Sequence, residues 1–238
     1  MPKTLESNGK CAFCNNSFSF SEMEKHLESC NARKASCGEP PAGPVSRKEA
    51  KKIGKILGLK VWASYDPSYW LFLEADAEVF LEDLDDFLRT TWLECCGHLS
   101  AFTIGEDRYE GGGGVDVMFA GTGGQSMHIR LGKLLSPGLT LHYEYDFGST
   151  TDLDLEVIWE REGKRIKENI SILARNESRD IKCVTCGKPA EVICSECSNE
   201  FEKEALYCNR CIKKHECGED MSLPVVNSPR MGVCGYAG

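Results

Sequence analysis

Between Cys183 and Cys217 the chain carries seven cysteines and one histidine in thirty-five residues. They fall as four pairs: Cys183/Cys186, Cys194/Cys197, Cys208/Cys211 and His215/Cys217. Tetrahedral zinc takes four Cys or His ligands, so eight such side chains imply two ions. Consecutive pairs could form two separate beads. Alternatively the first pair joins the third and the second joins the fourth, and short spacing favours this interleaved wiring. Only seven residues separate the first two pairs, and His215 and Cys217 sit too close together to make a normal knuckle. Ala190, Ile193, Leu206 and Tyr207 are the candidate core of such a unit.

A second metal-binding pattern lies at the other end of the chain. Cys11 and Cys14 form a knuckle, and His26 and Cys30 follow at helical spacing on one face. Ser21 with Glu24 reads as a capping box, which starts the helix near residue 22. Phe13, Phe18, Phe20 and Leu27 supply a small apolar core. With the C-terminal pairs this makes three expected zinc ions per chain. Each can be given four protein ligands, and thiolate-rich coordination makes a poor Lewis acid, so the expected role of the metal is structural.

The fourteen cysteines of this 238-residue chain would suit disulfides in a small secreted protein. The N-terminal "MPKTLESNGKC" lacks the apolar core of a secretory signal, however, and most cysteines fall in C-x-x-C pairs. Metal thiolates in a cytoplasmic protein are therefore expected. No apolar run is long enough to cross a membrane as a helix. The net charge of −9 argues against a protein that coats nucleic acid, yet charge is unevenly spread. Residues 47–60, "RKEAKKIGKILGLK", carry six basic side chains and read as a helix with a solvated or phosphate-touching face. Residues 74–94 carry eight acidic side chains and one basic.

These patterns divide the chain into a zinc module (1–37), a Pro/Gly linker (38–46), a central domain (47–178), a double zinc module (181–220) and a tail (221–238). The central domain holds all four tryptophans. "YWLFLEA" (69–75) reads as a strand, and Val79, Phe80, Leu84, Phe87, Leu88 and Trp92 recur at helical spacing, ahead of Gly97. "LSAFTIG" and "LTLHYEYDFG" read as strands, and "TDLDLEVIWE" alternates as a half-buried strand does. "EREGKR" reads as a hairpin turn leading back through "IKENISILAR". The expected fold is α+β: an antiparallel-sheet central domain with packed helices, flanked by two small zinc-binding modules.

Several parts resemble known families. The N-terminal spacing resembles a C2HC zinc finger. The C-terminal ligand order, with "KPAEVICSEC" and "ALYCNRC", resembles the B-box and related cross-braced fingers. Residues 60–175, through "HLSAFTI", "YEYDFGSTTDLDLEV" and above all "YDFG" (Tyr145 to Gly148), resemble the plasmid pRiA4b ORF-3-like family. That resemblance implies a compact α+β domain, with links to plasmids and insertion elements in some members and no settled activity. Many members place an acidic residue, a Trp and a His after the glycine. Here Ser149, Thr151 and Leu153 stand there, so no metal or base role carries over.

Read from the residues, Asp146 is a turn cap at a strand end. Cys95, Cys96 and His98 ("CCGH") could bind metal, although adjacent cysteines at a helix end are more often simply buried. Gly111–Gly114 and "GTGG" (121–124) read as turns that could overhang a pocket. The leading functional expectation is a non-enzymatic, zinc-stabilised binding or adaptor protein. A net-acidic zinc module and an acidic finger helix favour a protein partner over nucleic acid, and a small-molecule ligand is left open. Two alternatives stand beside it: an accessory nucleic-acid-binding protein using 47–60 and the N-terminal finger, and an enzyme with its site near His98, His142 and Asp146.

Overall fold

The structure is a computed structural model that describes residues 7–37, 52–111, 124–201 and 205–238. Its frame is set by long apolar strands whose successive side chains point to opposite faces. The segments β1 (Asn8–Cys11), β2 (Ser17–Ser19), β3 (Ile53–Ala63), β4 (Trp70–Asp76), β5 (Ser100–Ile104), β6 (Asp107–Gly111), β7 (Gln125–Ser126), β8 (Thr140–Tyr145), β9 (Thr151–Lys164) and β10 (Ile170–Asn176) form one sheet. Its order is β2-β1-β10-β4-β3-β9-β8-β5-β6-β7, antiparallel except for the β6/β7 pair. The fold is α+β with a sheet-dominated core, as expected.

Strand β4 shows why "YWLFL" (69–73) is apolar at every position. Leu71 and Leu73 enter a core with Leu57, Leu59, Val61, Leu153, Leu155 and Val157, closed by α3 (Leu81–Leu88) and a π-helical turn (Arg89–Leu93). Trp70 and Phe72 enter a second core, with Met23 and Leu27 of α1 (Phe20–Ser29). A strand covered on both faces has no polar face to show, so the run is continuous. Strand β9, by contrast, alternates buried and half-buried residues over its first half, as its sequence pattern requires.

The second core means that the N-terminal metal module is built into the sheet. Strand β1 pairs with β10 through Gly9↔Asn176 to Cys11↔Ala174, and β2 closes the sheet edge. Helix α2 (Asn31–Cys37) follows and delivers Arg33 to the same face. Arg33 donates to the Leu27 carbonyl at 2.9 Å and to Glu74 at 2.5 Å, and Glu74 also takes two bonds from Arg161, at 2.8 and 2.6 Å. Burial disfavours the Glu74 carboxylate, but the two guanidiniums outweigh it and hold the carboxyl below its ordinary range.

Three local expectations are corrected. Residues 53–60 are strand, not helix: Ile56, Leu57 and Leu59 are fully buried, and pairing with β4 and β9 outweighs the helical look of the lysine-rich segment. Residues 47–51 lie outside the described residues. The chain does not turn at "EREGKR", since β9 runs on to Lys164 against β3; the reversal comes later, around Asn169, which has φ +65. Helix α1 begins two residues earlier than expected, with Ser19 as its cap. There the Glu22 carboxylate accepts from the Ser19 N–H at 3.2 Å and its hydroxyl at 2.7 Å. The linker 38–46 and most of both glycine clusters also lie outside the described residues.

The C-terminal module has a small sheet of its own. Strand β11 (Val192–Cys194) lies between β12 (Leu206–Tyr207) and β13 (Ser222–Pro224), with α5 (Ser195–Phe201) and α6 (Asn209–Ile212) alongside. Ile193 and Leu206 are buried there, while Ala190 and Tyr207 are half-buried. The short α4 (Leu131–Leu134) belongs to the central domain. Among the described residues no helix is long and apolar enough to cross a membrane.

Candidate metal centres

Two knuckles share one backbone solution. The Cys11 carbonyl accepts from the Asn15 N–H at 2.9 Å, and the Cys183 carbonyl from the Gly187 N–H at the same distance. Asn15 has φ +58 and Gly187 φ +70, residue types that tolerate the left-handed conformation needed just after the second cysteine. The Cys208/Cys211 pair instead straddles the start of α6, where the Cys208 carbonyl accepts from the Cys211 N–H. Backbone N–H groups of Cys211 and Arg210 lower the Cys208 thiol. Burial opposes ionisation of Cys183, but backbone donors at Cys208, Thr185 and Cys186 prevail and bring its thiol to about 6. Cys211 beside them is pushed up to about 12, chiefly by hydrogen bonding to Cys186 and Cys208, so Cys183 and Cys208 are the first of this group to offer a thiolate.

The fold gathers these side chains into groups whose ligand atoms lie within 4.8 Å of one another. Cys11, Cys14, His26 and Cys30 form the first, Cys183, Cys186, Cys208 and Cys211 the second, and Cys194, Cys197, His215 and Cys217 the third. The C-terminal pairs are therefore interleaved. A tetrahedral zinc with bonds of about 2.3 Å to sulfur sets its sulfurs about 3.8 Å apart. The measured Cys11–Cys30, Cys186–Cys208 and Cys197–Cys217 separations are 4.0, 3.7 and 3.7 Å. A disulfide requires about 2.05 Å. The donor set and its spacing fit a tetrahedral, thiophilic ion in every group.

Both histidines in these groups are held by aromatic rings. His26 stacks on Phe18 at 3.9 Å and His215 on Tyr207 at 4.6 Å. Burial lowers the His26 pKa, which favours the neutral ring that a metal needs.

A fourth group was not foreseen from spacing. Cys95, Cys96 and His98 meet Cys234 of the tail. The expectation that adjacent cysteines would be buried is corrected: Cys95 is half-buried and Cys96 exposed. Thirteen of the fourteen cysteines thus belong to a four-residue Cys/His group, and Cys37 stands outside. The "CCGH" signal was visible, but its partner lies 136 residues away and no local pattern points to it.

The residues considered for catalysis do not assemble into one site. His98 belongs to the fourth group and faces Asp146, with 3.5 Å between Nδ1 and Oδ1. Asp146, at φ +66, caps its turn by accepting from the Gly148 N–H at 3.1 Å and takes a 2.6 Å bond from Arg230. His142 lies further back along β8, where Asp154 and Asp152 approach its two ring nitrogens at 2.9 and 3.3 Å. It lines a shallow, open depression of about 430 Å³ with Trp62, Thr103 and Thr140. The described part of the basic segment is largely neutralised: Lys55 pairs with Glu160, and Lys60 with Glu156 and Glu24.

Fold and site together define an α+β protein with, among the described residues, four Cys/His groups able to hold metal ions. No family model and no curated protein matches the chain. Among solved structures it is similar to a protein of unknown function from Methanosarcina mazei Go1 (MM3350), at 15% identity and a TM-score of 0.40, over 56% of this chain and 75% of that one.

Proposed function

We propose that this is a zinc-dependent binding or adaptor protein whose metal ions hold the fold and whose partner is another protein. The observation that carries this reading is the closed donor set: each group offers four Cys or His ligands at tetrahedral spacing. A catalytic zinc typically has three protein ligands and keeps a fourth position for water or substrate. Three thiolates with an imidazole, or four thiolates, leave a bound zinc carrying about −1 or −2, a poor activator of water. Neutralisation of the lysines on β3 weighs against a phosphate-backbone partner. On this reading the central domain is of the plasmid pRiA4b ORF-3-like type, with a C2HC finger joined to its sheet edge and a B-box-like double finger beyond it. The modules act in the cytoplasm.

X-ray absorption at the zinc edge of the purified full chain tests the reading directly. The expected result is four-coordinate zinc with sulfur and nitrogen neighbours only. An oxygen neighbour from water at a substantial fraction of the zinc would overturn it. The partner is then sought by affinity capture from the native host, with the Cys211→Ser chain as the comparison.

A further inference from the structure

The tail from Val225 to Gly238 has almost no regular secondary structure, yet it is fastened down at several points. Asn227 exchanges hydrogen bonds with Asn176, and its carbonyl accepts from Arg175. The Ser228 hydroxyl donates to the Trp92 carbonyl at 2.6 Å. Arg230 is fully buried. Its guanidinium reaches the Ser149 carbonyl, Thr151 Oγ1, Asp146 Oδ2 and Cys95 Sγ, and lies 4.8 Å over the Tyr145 ring.

Four residues later the tail presents Cys234, whose backbone is left-handed at φ +55. A non-glycine residue is strained in that conformation and persists only where the surrounding structure over-determines it. Its Sγ lies 3.6 Å from Cys96 Sγ and 3.6 Å from His98 Nε2. These are the edges of a tetrahedron around a zinc ion and are far too long for a disulfide.

The surroundings of the group match those of a metal site. His98 turns Nε2 to the cluster and Nδ1 to Asp146, the carboxylate–histidine arrangement that fixes the ring of a metal ligand. Its ring meets Tyr145 edge-on at 5.8 Å, so it too is held by an aromatic. Arg230 places a positive charge against Cys95 Sγ and Asp146. Three thiolates and an imidazole around zinc carry about −1; with Asp146 that makes about −2, of which Arg230 offsets about half. The Gly97 N–H donates to Glu94 Oε1 at 2.6 Å and fixes the turn that brings His98 back beside Cys95 and Cys96.

We propose that Cys95, Cys96, His98 and Cys234 form a fourth zinc site that clasps the C-terminal tail onto the central domain. Its zinc is also the first to exchange. Cys96 and Cys234 are both exposed and Cys95 is half-buried, whereas each of the other three groups has at least one buried cysteine: Cys11 and Cys30, Cys183 and Cys208 (beside the exposed Cys186), and Cys194. Loss of this ion frees the tail beyond Arg230, whose buried guanidinium still holds the segment before it, and leaves the other three groups loaded. In this assignment Asp146 and Arg230 are positioning residues that orient His98 and Cys95.

The test is metal analysis of the full chain with hydrogen exchange of residues 231–238, on wild type, Cys234→Ser and Cys96→Ser. The expected zinc content is about four per wild-type chain and about three per variant chain. Tail amides should exchange faster in both variants, with strands β3, β4 and β9 unchanged. A limiting chelator should remove one ion from wild type before the rest, with the same rise in tail exchange. About three ions in wild type, an unchanged count in both variants, or a Cys96–Cys234 disulfide seen as the loss of two hydrogens in the intact mass would each overturn the proposal. So would tail protection that survives removal of the ion.

Discussion

Replacing Glu74 by leucine should be among the most damaging single changes outside the metal groups. The Glu74 side chain is 3% exposed and that of Arg33 9%, while Arg161 keeps 23% of its surface. Removing the carboxylate leaves Arg33 buried without its charged partner, whereas Arg161 can turn toward water. Stranding one member of a buried pair costs about 3–5 kcal/mol. Taking about 4 kcal/mol, the folding equilibrium falls by roughly three powers of ten. Urea denaturation at saturating zinc reads this directly, because equal metal occupancy removes the linkage contribution. Arg33→Leu in the Glu74→Leu background should cost far less than Arg33→Leu alone, with a coupling of about 1–3 kcal/mol. The Glu74 carboxyl is held below its unfolded value, so its contribution is fully present above an unfolded pKa of about 4.3. The gap between wild type and Glu74→Leu should therefore hold through neutral pH and close only as pH falls through the depressed folded value. A single-variant cost below about 1 kcal/mol, or additive behaviour in the cycle, would refute the reasoning.

Two further outcomes follow from how the modules are joined. Cys14→Ser should weaken the whole central sheet, because β1 pairs with β10 and α1 shares a core with Trp70 and Phe72; Cys211→Ser should unfold the C-terminal module while β3, β4 and β9 keep their hydrogen-exchange protection. Equal loss of sheet protection in both variants would contradict this. Gly58→Ala should destabilise by about 1–3 kcal/mol, since a Cβ there would sit 2.2 Å from the Trp159 ring. A thermal midpoint unchanged or raised would show that Trp159 can move aside.

Helix α3 and strands β4, β5, β8 and β9 were legible because their apolar periods are long and local. The start of α1 was ambiguous for a definable reason. Ser19 and Ser21 are each followed three residues later by glutamate, and only the packing of Met23 and Leu27 against the sheet selects the first. Strand β3 was misread because a lysine-rich stretch carries both periods. Its neighbours decide the matter: Leu57, Leu59 and Val61 fill one core, and Lys55 and Lys60 find carboxylates across the sheet. The turn at Gly163 was misplaced because β3 is long enough to keep pairing past it.

The sequence by itself determined which residues can take metal and how many C-x-x-C knuckles the chain has, since a knuckle needs only a few residues of backbone. It also determined that the sheet dominates, because strand alternation is written residue by residue. Only the tertiary structure decided which pairs share a centre, that the N-terminal Cys/His group is joined to the sheet, and that Cys234 meets Cys95, Cys96 and His98. The difference is one of range. Ligand spacing is local, whereas a clasp closed across 136 residues depends on Arg230 and Ser228 being drawn into a core that no short stretch encodes.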